Sequence, residues 1–84
     1  MNTENDTERE VEYEQTGDGQ SRGGPCSGRL LPGENRTFPP CGPPPWVVVF
    51  TRTNGSKHSS RPLAAHEANA TVRLERDGQV VVIP

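Results

Sequence analysis

The chain has 84 residues, 29% of them apolar and 24% charged, with nine glycines, nine prolines and a formal net charge of −2. That length admits one small domain, and the apolar share excludes both a large core and a membrane span, which needs about 18 or more consecutive apolar residues. The charge is uneven: seven acids and Arg9 give residues 1–19 a charge of −6, five arginines and Lys57 against Glu34 give residues 20–61 a charge of +5, and the remainder carries −1.

Residues 1–19 read as an acidic disordered tail. Val11 and Tyr13 are the large apolar side chains it offers besides Met1, and its clustered carboxylates repel one another. Residues 20–45 read as a Gly/Pro-rich linker, because 14 of the 29 residues from 17 to 45 are Gly or Pro and would interrupt any element after a few residues. The linker is soft at its glycine-rich start and stiffer at "FPPCGPPP", where Phe38, Pro39, Pro40 and Pro43 form a candidate polyproline ligand for an aromatic-lined groove.

Cys26 and Cys41 flank part of this linker. Two free thiols are the default for a chain with no apolar leader and an expected intracellular location, although a disulfide between them would close a loop of about 15 residues. Neither has a histidine nearby, so no zinc site is expected, and no cofactor is.

The third segment, residues 46–84, holds twelve large apolar residues against five in residues 2–45 and reads as a small β-rich module. "WVVVF" at residues 46–50 is the strongest strand, apolar on both faces. Ser60 as a cap and Pro62 in a first turn predict a short helix over residues 61–69. "TVRLERDGQVVVI" predicts a hairpin on an Asp77-Gly78 type I′ turn, with Val72, Leu74, Val81 and Ile83 on one face. The expected fold is therefore a mostly disordered N-terminal half and a C-terminal module of β-α-β-β or three-stranded meander form.

His58, Ser59, Ser60, His66, Glu67 and Asp77 supply catalytic letters without a pocket, so no enzyme is expected. The expectation is a non-enzymatic interaction or accessory protein whose exposed strands pair with a protein partner or a second copy, through Trp46, Val47, Val48, Val49 and Phe50 and through Val80, Val81, Val82 and Ile83. One alternative is a fragment of a secreted or surface glycoprotein, since Asn5, Asn35, Asn54 and Asn69 all stand in Asn-x-Ser/Thr sequons. Another is a small accessory protein, of the kind viruses encode, that binds nucleic acid through the basic middle segment.

Overall fold

In the computed structural model, which describes residues 1–18 and 26–84, strands from both halves of the chain build two four-stranded sheets. The strands are β1 (Asn2–Asp6), β2 (Val11–Thr16), β3 (Ser27–Leu30), β4 (Asn35–Thr37), β5 (Val47–Arg52), β6 (Lys57–Ser59), β7 (Thr71–Glu75) and β8 (Val80–Ile83). One sheet runs β4-β1-β7-β8 and the other β3-β2-β5-β6. All neighbours are antiparallel except β1 and β7, which run parallel.

The N-terminal half is thus not disordered, and the acidic tail and the linker must be corrected. Residues 1–18 form β1 and β2, each a central strand of its sheet; residues 26–45 hold β3 and β4; Arg22 and the glycine-rich stretch 19–25 lie outside the described residues. The strands of 46–84 are completed by the first half: β7 pairs with β1 and β5 with β2.

The first four strands behave as one long hairpin bent across both sheets. β1 pairs with β4 in one sheet and β2 with β3 in the other, so residues between β1 and β2 and between β3 and β4 turn the corner. Asn5 stitches that corner: its Nδ2 donates to Arg9 O (2.8 Å) and Leu30 O (3.0 Å), and its Oδ1 accepts from the Thr7 amide (3.0 Å) and hydroxyl (2.6 Å). A fully buried asparagine is stable there because its amide is spent on the backbone.

Period-2 alternation explains the core. Val11, Tyr13 and Gln15 point inward from β2 while Glu12 points out, and Thr3 and Asn5 point inward from β1. Tyr13 lies over Gly28 of β3, where a Cβ would come within 3.2 Å of its ring and hydroxyl, and it stacks on Phe38 with ring centroids 5.8 Å apart. Leu30, Trp46, Val48, Phe50, Leu63, Val72 and Leu74 complete a core drawn from both sheets. The strands of residues 46–84 are therefore not a separate module: Met1, Val11, Tyr13, Leu30 and Phe38 of the first half share one core with them.

Two further expectations change. The helix over 61–69 reduces to one 3-10 turn, Ala65–Glu67, because Ser60 spends its hydroxyl on Val48 N and Arg61 O and caps nothing, while Leu63 bridges to Trp46 as in a strand. β5 and the C-terminal hairpin do not share a sheet, so neither a parallel crossover nor a meander joins them. Among the described residues, no helix is long and apolar enough to cross a membrane.

Candidate functional site

The hairpin of β7 and β8 turns on three residues, 76–78, with Gly78 at φ +92° and Asp77 Oδ1 accepting from the Gln79 amide (3.0 Å). This is a longer turn than the two-residue type I′, and it slips the expected register by one: Leu74 faces Val80 and Val72 faces Val82. A one-residue slip exchanges the faces of a strand. Val80 and Val82 consequently pack on the core, and Val81 and Ile83 stand on the outer face beside Arg73 and Thr71.

β8 is an edge strand, with β7 as its pairing neighbour among the described residues. Glu75 N–H donates to Gln79 O (2.9 Å), which fixes the phase of the ladder: Gln79, Val81 and Ile83 bond with β7, and Val80 and Val82 turn N–H and C=O to the open side. All four of its side chains are half-buried.

The other three edges differ in chemistry. β4 is Asn-Arg-Thr and exposed throughout, β6 carries Lys57, and β3 carries Gly28 and the exposed Arg29. Short, charged edges resist pairing with other chains. β8, entirely Val and Ile, has no such protection.

The other half of the expected partner surface lies elsewhere. β5 is hydrogen-bonded on both sides, by β2 and β6, so its backbone cannot receive a further strand. Trp46, Val48 and Phe50 are buried, and Val47 and Val49 are half-buried on the outer face of their sheet. Beside them, a shallow concavity of about 660 Å³ is lined by Glu12, Glu14, Arg29, Val49, Thr51 and Lys57, among others.

The proline segment is held against the fold. Phe38 is in the core, Gln15 exchanges two hydrogen bonds with the Cys41 backbone (3.0 and 2.7 Å), and Trp46 Nε1 donates to Gly42 O (2.9 Å). Pro39 and Pro43 are exposed and Pro40 half-buried, so the phenylalanine that should lead a polyproline ligand is not presented with its prolines. Cys26 and Cys41 are joined as a disulfide, with Cα atoms 6.3 Å apart, in place of the two free thiols expected.

The basic residues of the middle segment are dispersed among acids. Arg29 lies 3.7 Å from Glu12, Arg36 lies 3.9 Å from Glu34, and Arg61 binds Glu67. Arg52 donates to the carbonyls of Glu75 (3.2 Å) and Arg76 (3.0 Å) beside a cleft of about 350 Å³, where Arg9 and Arg76 are mixed with Glu8 and Glu10.

Four of the six candidate catalytic side chains, His58, Ser60, Glu67 and Asp77, have local partners. His58 Nε2 is 3.3 Å from the Ser56 hydroxyl, Ser60 binds Val48 and Arg61, Asp77 closes its turn, and His66 and Ser59 are exposed. Among the described residues, no three of His, Cys, Asp and Glu are grouped as metal ligands.

Glu67 accepts from the Arg61 guanidinium and from the Ala64 amide (3.0 Å), and these bonds, the arginine first, hold its carboxyl at about 2, below the ordinary 4.5. A depressed carboxylate contributes stability that is fully present above about pH 4.5 and is lost as pH falls through about 2. Carboxyl-carbon NMR should give Glu67 a midpoint near 2, and Arg61→Ala should move it back toward the ordinary range.

Among the described residues, fold and edge define a small disulfide-linked β-sandwich with an apolar edge at β8. Compared with models of protein families, with curated proteins and with solved structures, the chain matches none.

Proposed function

We propose that this chain is a non-enzymatic interaction module that associates by strand addition at β8. The observation that supports it is the contrast among edges: β8 is apolar on both faces and offers Val80 and Val82 backbone groups to a further strand, while β3, β4 and β6 carry charge or glycine.

The occupant that fits without additional residues is a second copy. With Val81 on a two-fold axis, Val80 of each copy lies opposite Val82 of the other and exchanges both backbone hydrogen bonds with it, and the two sheets become one of eight strands. Arg73, next inward on the outer face, is already paired with Glu4 (2.7 Å), so the join brings no unpaired charge into contact.

Four residues bury less than the ~1,200 Å² of a stable interface, so the association is weak and needs high protein concentration. Sedimentation velocity should show a concentration-dependent dimer, with slowed hydrogen exchange at Val80 and Val82. Val81→Lys sets two ammonium groups directly opposite each other and should leave a folded monomer. A wild-type chain that stays monomeric at high concentration, with Val80 and Val82 amides exchanging freely, rejects this reading.

A further inference from the structure

Four of the five asparagines stand in Asn-x-Ser/Thr sequons, although Ser and Thr make up 12 of 84 residues and composition alone would give fewer than one such pairing. The structure divides the four. Asn5 is 0% exposed and both protons of its amide nitrogen are committed, to Arg9 O and Leu30 O. Asn35 on β4, Asn54 in the β5–β6 turn and Asn69 before β7 are exposed, and among the described residues no hydrogen bond from their side-chain nitrogens is found.

Asn5 and Asn54 make a useful pair, because both have the same local turn. Asn54 Oδ1 accepts from the Ser56 amide (2.9 Å) and hydroxyl (2.7 Å), as Asn5 Oδ1 does from Thr7. What separates them is access to the nitrogen. The Cys26–Cys41 disulfide, in turn, is a bond that persists in the oxidising lumen where oligosaccharide is attached to such sequons.

We propose that Asn35, Asn54 and Asn69 are attachment sites for N-linked oligosaccharide and that Asn5 is a structural residue that carries none. In the transfer, the asparagine Nδ2 forms a bond to C1 of an oligosaccharide held on a polyisoprenyl diphosphate. The C1–O bond to the diphosphate breaks, the lipid diphosphate leaves with the bonding pair, and the amide nitrogen gives up one proton. No oxidation or reduction is involved. Asn35 lies on β4, the edge of its sheet opposite β8, so a glycan there would further shield that edge and leave β8 uncovered.

The test is to direct the chain through the secretory route of a eukaryotic cell and to recover the folded, disulfide-linked protein. Treatment with a glycan-removing amidase in ¹⁸O-water marks each formerly occupied asparagine as labelled aspartate for peptide mass spectrometry. Label at all three of Asn35, Asn54 and Asn69, with none at Asn5, supports the proposal, and Asn35→Gln, Asn54→Gln and Asn69→Gln should then each remove one glycan mass. Absence of label at any of the three, or label at Asn5 of the folded protein, overturns it. The outcome is independent of whether β8 self-pairs.

Discussion

Replacing Tyr13 by alanine should destabilise the protein by about 3–5 kcal/mol, the range for deleting a buried aromatic side chain. Against a total of about 5–15 kcal/mol for a small domain, that loss is a large fraction of the stability. Tyr13 is 2% exposed, stacks on Phe38 and fills the space over Gly28, and no smaller side chain can span from β2 to all of these. Were residues 1–19 a solvated tail, the same change would leave stability untouched. Urea unfolding followed by fluorescence of Trp46, the single tryptophan and itself buried, distinguishes the two.

Tyr13→Phe sharpens the test. Among the described residues the buried Tyr13 hydroxyl has no hydrogen-bond partner, so phenylalanine keeps the ring and removes that polar group. Its stability should equal or exceed that of the wild type. A large loss in Tyr13→Phe would mean that the hydroxyl, not the ring, holds β2 in place.

How much of this fold could be read in advance differs element by element. β5 and the C-terminal hairpin are legible, since β-branched and aromatic runs bounded by turn residues have few other uses. The hairpin register is not: Val80, Val81, Val82 and Ile83 are apolar at every position, so a slip of one residue costs no burial, and only the turn geometry at residues 76–78 decides which pair faces inward. For the candidate site, the sequence marks two apolar strands as the expected contact surface but does not tell which of them is an edge. "WVVVF" looks more hazardous than "VVVI", yet it is the one enclosed between β2 and β6.

The N-terminal strands are hidden because their inward residues are largely polar. Thr3, Asn5 and Gln15 are buried on hydrogen bonds to backbone groups of β3, β4 and the proline segment, and those partners exist only in the folded chain. A trace was present in "EVEYEQT", where Val11, Tyr13 and Gln15 alternate with Glu10, Glu12 and Glu14 at the period of a half-buried strand. High charge density masks that alternation, since acids on the outer face of a sheet and acids in a disordered tail have the same composition. The disulfide was equally obscured, because the spacing of two cysteines in a Gly/Pro-rich stretch does not reveal that the chain folds back between them.

Removing that disulfide should cost about 3 kcal/mol, the chain-entropy value for a closed loop of about 15 residues. Cys26 and Cys41 are separated by 15 in sequence, and between them the chain leaves one sheet at β3 and enters the other at β4. The bond therefore restrains the crossover that lets one bent hairpin serve both sheets. β4 is three exposed polar residues paired on one side by β1, so it has little else to hold it once the loop is free. The Cys26→Ala/Cys41→Ala variant should unfold at lower urea, as should the wild type under reductant, and hydrogen exchange should rise first in β4 and only later in β7. Equal urea midpoints with and without reductant would show that β1 and the Phe38 anchor hold the crossover unaided, and would remove the chemical link between this fold and an oxidising compartment.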